Sequence, residues 1–164
     1  MVKAATHLAS VQTVSGGAAP FGPALIEKFM EKCAPREVKF REGFGMTESS
    51  PVSHIQPEQN ARLGGCGHPV PSTIAKIVDI DTGSALGPNA DGELLVAGPQ
   101  VMQGYHGNKK ATKATIVDGW LHTGDIARYD EDGQFVIVDR LKELIKVKGL
   151  QVRTLWPWYC AYNL

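Results

Sequence analysis

Turn signals recur at intervals of about ten residues from Ala61 onward, and this spacing limits the segment to a small antiparallel sandwich or barrel. DTGS at 81–84, GPNADG at 87–92 and DEDG at 130–133 are the clearest of them. Gly, Pro, Asn and Asp in such clusters reverse the chain direction. Between them lie short runs rich in β-branched and aromatic residues: Thr73–Asp79, Gly92–Gly98, Leu121–Tyr129 and Gln134–Asp139. Asn108–Ile116 interrupts the series as a short helix, with Asn108 placed to cap its first turn.

The densest charged and glycine-bearing stretch is Trp120–Gln151, WLHTGDIARYDEDGQFVIVDRLKELIKVKGLQ. It reads as strand, bend, strand, turn, strand and a basic exit. TGD ends one short apolar run and Ile126–Tyr129 begins another, which puts Asp125 in a bend between two strands and Asp139-Arg140 at the end of a third. An acid in a bend and a base at a strand end can face one cleft, the acid accepting two hydrogen bonds from a vicinal diol and the guanidinium donating to sugar or phosphate oxygens. A nucleotide ribose is such a diol. The same residue types also occur as an Asp that caps its own turn and an Arg that is simply solvated.

The opening third has a different pattern. Leu8–Val14 suits a buried strand running into the glycine turn Ser15-Gly16-Gly17. Pro23 can start a helix, whose apolar positions Leu25, Ile26, Phe29, Met30 and Cys33 form a core stripe until Pro35 stops it. Val38–Phe40 then enters EGFGMTE at 42–48 as a second strand and a second glycine loop. Strand, helix, strand implies parallel neighbours. Ligands bind at the carboxyl ends of such strands. The fold class expected is mixed α/β: the end of a parallel-sheet subdomain followed by a small antiparallel β-barrel-like subdomain, with the change near residues 55–70.

Composition excludes several function classes. Lys plus Arg and Asp plus Glu number 17 each, and no basic stripe interleaved with aromatics runs through the first 140 residues, so nucleic-acid binding is not indicated. With 43% apolar and 21% charged residues the chain is not of disordered composition. No apolar run approaches the ~20 residues of a membrane span, and MVKAATHLAS lacks a secretory pattern. A soluble, intracellular chain is expected, cytoplasmic and peroxisomal locations being indistinguishable. Cys33, Cys66 and Cys160 form no CxxC pair. Cys66 and His68 in GGCGHPV have no second ligand pair for a metal, so a glycine-rich loop is the preferred account.

Five segments, in order, resemble the later core motifs of the AMP-forming adenylating enzymes, the superfamily of acyl-CoA and aryl-CoA ligases, firefly-type luciferases and peptide-synthetase adenylation domains. They are SGGAAPFG at 15–22, EGFGMTESSP at 42–51, GELLVAGPQVMQGYHGN at 92–108, WLHTGD at 120–125 and DRLKELIKVKG at 139–149. The wording is closest to 4-coumarate-CoA-ligase-like and luciferase-like members, and the resemblance covers about residues 8–152.

The resemblance implies activation of a carboxylic acid with ATP, giving an acyl-adenylate and pyrophosphate, followed in many members by transfer to coenzyme A. Thr47 would donate to the α-phosphate and Glu48 would hold Mg²⁺, although TES is also an ordinary helix start with an acid in its first turn. Adenine would lie between the Gly16-Gly17-Ala18 backbone and the ring of Phe44, flanked by Gly43 and Gly45; Phe44 stands where many members have Tyr. Asp125 would hold the ribose hydroxyls and Arg140 the same sugar. Lys142 matches the hinge of a lid domain, Lys146 the segment facing the second half-reaction, and Met46, Ser49, Ser50 and Val52 the wall of the acid pocket.

The divisions expected on this basis are 1–60 as the partial α/β subdomain with the adenine loops, 61–141 as the β-rich subdomain, 142–152 as the hinge segment and 153–164 as an unrelated aromatic tail. The Pro-Lys-Gly phosphate loop and the lid lysine of the family are not among the 164 residues. The chain is therefore expected to be a fragment or isoform of an AMP-forming acid-CoA ligase, inactive alone, with a small carboxylic acid and a nucleotide as its ligands. The alternatives are a non-catalytic nucleotide-binding or protein-interaction module, self-associating through an exposed sheet edge, and a mistranslated product that folds poorly.

Overall fold

The computed structural model describes residues 10–18, 21–34 and 38–141, with the backbone alone at 145–147 and 150–152. Strand β1 (Thr13–Gly16) and strand β2 (Lys39–Gly45) are parallel neighbours, from Thr13 opposite Lys39 to Gly16 opposite Glu42. Parallel neighbours need a crossover, and helix α1 (Pro23–Cys33) supplies it, with Pro at its start where no N–H is missed. The expected core stripe of α1 is only partly realised. Ile26 is buried and Phe29 packs against Phe40, but Leu25 is 57% exposed. Leu25 lies one position from Ile26, about 100° around the helix axis, and therefore falls on the solvent flank.

The second glycine loop of the sequence reading is a strand. β2 runs straight through Glu42-Gly43-Phe44-Gly45, and a 3-10 turn at Thr47–Ser49 returns the chain into β3 (Val52–Ile55), antiparallel to β2. The reversal is so tight that a Cβ on Gly45 would sit 1.8 Å from the Pro51 carbonyl oxygen. Glycine there serves close backbone approach within a sheet. Strand β4 (His68–Pro69) pairs with β3 and completes the order β1-β2-β3-β4.

The next sheet is antiparallel: β5 (Ile74–Val78), β6 (Gly92–Ala97), β7 (Ile116–Val117), β8 (Trp120–Tyr129) and β9 (Phe135–Arg140). Its order is β5-β6-β8-β7 with β9 also on β8, a curled half-barrel. Helix α2 (Lys109–Thr115) leads into β7, and the Asn108 side chain caps it by accepting from the Ala111 N–H at 3.0 Å. The expected bend at Asp125 is a bulge inside one continuous strand. Glu93 pairs with Ile126 and Leu95 with His122, so Leu94 faces Thr123, Gly124 and Asp125 together, and Gly124 takes φ +70°.

Ile77, Leu94, Val96, Ala127 and Phe135 form the core of this sheet, joined by Cys66 from the segment that leads to it. Phe135 N–H donates to the Gly67 oxygen and Cys66 N–H to the Phe135 oxygen, both at 2.8 Å, which ties the two sheets together. The chain changes sheet between Pro69 and Ile74. Strands β10 (Ile145–Val147) and β11 (Leu150–Val152) pair antiparallel. Lys142, the side chain of Lys146 and the tail 153–164 lie outside the described residues. Among the described residues no helix is long and apolar enough to cross a membrane.

Candidate functional site

A pocket of about 350 Å³ opens where the two sheets meet. One wall is β2 with the start of the loop that leaves β1: Ala18, Glu42, Gly43, Phe44 and Gly45. The facing wall is the bulge of β8 and the end of β9: Asp125, Ile137, Val138, Asp139 and Arg140. Gly64, Gly65 and Cys66 close a third side. Ala18, Gly43, Phe44, Gly45, Asp125 and Arg140, singled out from the sequence, thus share one cavity.

Asp125 is 3% exposed. It stands opposite Arg140 in the β8–β9 ladder, and the Arg140 Nε–H donates to its Oδ1 at 3.0 Å. The pair expected to face a ligand separately is therefore pre-assembled, the guanidinium 61% exposed and the carboxylate inside. Thr123 holds the bulge: its hydroxyl donates to the Leu94 oxygen at 2.8 Å and accepts from the Asp125 N–H at 3.1 Å. A buried carboxylate beside a cation is suited to accept hydrogen bonds from neutral hydroxyls.

The glycine turn is close but does not line the cavity. A Cβ on Gly16 would meet the rings of Phe21 and Phe40 at 2.8 Å, and one on Gly17 would lie 3.2 Å from the Gly43 oxygen. Both glycines are accounted for by packing of the strand ends. Phe44 lies on the cavity wall with His54 behind it, centroids 6.1 Å apart. His54 is wholly buried, 4.7 Å from the Phe135 ring on its other side, and its Nδ1 lies 3.0 Å from the Ser53 hydroxyl. Burial, helped by His68, pushes its pKa down to about 4, so the ring is neutral at ordinary pH.

Thr47 and Glu48 are in the turn after β2, outside the cavity lining. The Glu48 carboxylate accepts the Tyr105 hydroxyl at 2.6 Å, and its main-chain oxygen accepts the Met102 N–H at 2.8 Å. Hydrogen bonding to that carboxylate raises the Tyr105 pKa. No group of three metal-ligating side chains exists among the described residues. Mg²⁺ is commonly held by one or two carboxylates with phosphate and water oxygens, and a half-buried Glu48 fits that role and no all-protein cage. Ser49 is buried, its hydroxyl accepting from the Met46 N–H at 3.1 Å and lying within donating distance of the Met46 and Pro51 oxygens. Cys66 is buried and its thiol is pushed up to about 12, mainly by burial, which fits a core residue.

Sequence reasoning missed Glu42 and the loop 62–67. Glu42 is 7% exposed, with Oε1 accepting the Phe21 N–H at 3.2 Å and Oε2 the Gly64 N–H at 3.1 Å. An acid inside a strand of glycines, with no basic neighbour to its C-terminal side, was the available signal.

Residues 1–106 match the model of the AMP-binding enzyme family. The chain belongs to this family. It is 49% identical over 148 residues to 4-coumarate–CoA ligase-like 4 of Oryza sativa subsp. japonica, a match covering 88% of this chain and 26% of that relative. It is 46% identical over 146 residues to the luciferin 4-monooxygenase of Photinus pyralis, again 88% and 26%. The chain thus spans about a quarter of the length of the curated relatives it matches. The amide bond synthetase McbA of Marinactinospora thermotolerans superposes with a TM-score of 0.78 at 30% identity, covering 88% of this chain and 29% of that one. The ATP- and magnesium-bound O-succinylbenzoate coenzyme A synthetase of Bacillus subtilis gives 0.74 at 29% identity, covering 85% and 29%. The part of these proteins that the chain matches has the same fold here.

Proposed function

We propose that this chain supplies the adenosine-holding part of an ATP-dependent, AMP-forming carboxylic acid–CoA ligase. The observation that carries the reading is the convergence of Ala18, Phe44, Asp125 and Arg140, from both ends of the described chain, on one cavity. Adenine stacks on Phe44 beside the glycine-lined backbone of β2, where no side chain obstructs a flat ring. Asp125 accepts both ribose hydroxyls, and Arg140, already donating to that carboxylate, also donates toward sugar or phosphate. Thr47 donates to the α-phosphate. Glu48, turning from Tyr105, would be one ligand of Mg²⁺, which would supply charge neutralisation at the phosphates. Positioning and charge neutralisation are what attack of a carboxylate on phosphorus requires. Lys142 and Lys146 belong to the lid movement and thioester step, with coenzyme A as acceptor.

Calorimetry with AMP and 2′,3′-dideoxy-AMP on wild type and Asp125→Ala tests this. A buried charge-assisted contact contributes about 1.5–3 kcal/mol, so removing either the diol or the carboxylate weakens binding roughly ten to a hundredfold. Removing both adds little to removing one. Equal affinities in all four combinations would remove Asp125 from the site.

A further inference from the structure

Gln56 follows β3 and is 2% exposed. Its main-chain N–H donates to the Glu42 oxygen at 2.9 Å, and the Glu42 N–H donates back to Gln56 Oε1 at 2.9 Å. That donor fixes the amide, oxygen toward β2, so its NH₂ group faces the other way. There it donates to the Gly65 oxygen at 2.6 Å and to the Arg62 oxygen. A buried side chain is thus spent on bridging β2 to the loop 62–65. Glu42 repeats the connection one layer closer to the cavity, holding the Phe21 N–H with one carboxylate oxygen and the Gly64 N–H with the other. Glu42, Gly64 and Gly65 all line the pocket, and Gln56 does not.

We infer that Gln56 is a positioning residue of the nucleotide pocket, setting the width of its base-binding end by clipping the 62–65 loop to β2 through Glu42. The inference rests on the adenosine reading above and goes beyond it in assigning this clip. Three separate chain segments meet at these two side chains, and no apolar contact could define their spacing as narrowly, because hydrogen-bond lengths are fixed while apolar packing tolerates slippage. The ribose end, built from Asp125 and Arg140, lies on the opposite wall and does not depend on the clip.

The test uses Gln56→Met, which keeps the length of the side chain and leaves the Glu42 N–H and the Gly65 and Arg62 oxygens unserved. Tyr129→Phe is the control, since Tyr129 donates to the Leu86 oxygen at 3.2 Å and does not line the pocket. Gln56→Met weakens AMP by about tenfold or more, measured well below its thermal midpoint, and by the same factor with 2′,3′-dideoxy-AMP. Tyr129→Phe lowers the midpoint and leaves both affinities alone. Amide exchange in the unliganded protein shows selective acceleration at Gly64 and Phe21 in Gln56→Met. If that variant does not fold, Gln56→Asn, one methylene too short to span the gap, gives the same readouts. Wild type that binds AMP together with Gln56→Met that binds it equally well overturns the clip and leaves the adenosine reading standing. Wild type that fails to bind AMP overturns that reading and, with it, a role in a nucleotide pocket; unchanged exchange at Gly64 overturns the tether on its own.

Discussion

Among the described residues, the two sheets bury polar and apolar side chains in different proportions. Under β1 to β4 the inaccessible side chains are Glu42, Ser49, Ser53, His54 and Gln56, with Ile26 and Val38 the buried hydrophobics nearby. In the half-barrel they are mostly apolar, Ile77, Val78, Leu94, Leu95, Val96, Leu121, Ile126, Ala127 and Phe135, with Asp125, Gln134 and Asp139 the polar minority at and around β9 and the bulge. Burying apolar area stabilises at roughly 25 cal/mol per Å², whereas a buried polar group must be hydrogen-bonded to avoid a net penalty. The half-barrel, with the larger apolar interior, is therefore the main source of hydrophobic stabilisation. The first sheet is held by directional bonds that add less to stability and fix positions more sharply, which is what a binding wall needs.

Changes in the two interiors should accordingly be felt in different measurements. The largest effect on stability is expected for Leu94→Ala, at a side chain with no exposure. Such truncations cost about 2–5 kcal/mol, read by urea unfolding, with AMP affinity of the folded fraction retained. A loss below about 1 kcal/mol would break the assignment of stability to this sheet.

The first sheet should instead reveal itself through pH. His54 is held at about 4 against 6.5 for a free histidine, so the unfolded chain takes up its proton first as pH falls. Its contribution is intact above about pH 6.5, declines below that and is fully lost under about pH 4. The difference corresponds to roughly 3 kcal/mol. Between pH 7 and pH 4 the unfolding free energy of wild type should fall by that order more than that of His54→Leu. Parallel curves would mean that His54 is not buried neutral.

The smallest effect belongs to neither interior. Asn108→Ala removes the cap of α2 and should cost about 1 kcal/mol with no pH dependence and no change in AMP affinity. A larger loss would show that α2 is part of the half-barrel's stability.

The half-barrel was also the more legible half. Its strands announce themselves through short runs of β-branched and aromatic residues and through turns such as Asp79 to Ser84, where Asp79 Oδ1 accepts from Asp81 and Thr82, so neighbours in sequence settle the structure. Asp125 and Arg140 could be placed on one cleft in advance because one hairpin joins them, though not their ion pair. β3 and β4 escaped notice because Ser53, His54 and Pro69 do not read as strand residues; their pairing is decided by partners distant in sequence. Glu42, Gln56 and Gly65 escaped for the same reason. The exposure of Leu25 was equally hidden, since helical spacing gives a stripe but not which edge of it is covered. The Gly45 signal was seen and misassigned: a glycine pair marks close approach as readily as a loop.

The bulge at Thr123 to Asp125 has a further consequence for how this protein can vary. Side chains alternate along β8, so the parity of Ile126 to Tyr129 is set by how many residues the bulge contains. Adding or deleting a single residue there would turn Ala127, now wholly inside, to the opposite face and would carry the ladder to β9 with it. A recognition element placed on an external loop can change length freely. Here the carboxylate shares its strand with the scaffold, so this site can evolve by exchanging residues but not by gaining or losing them.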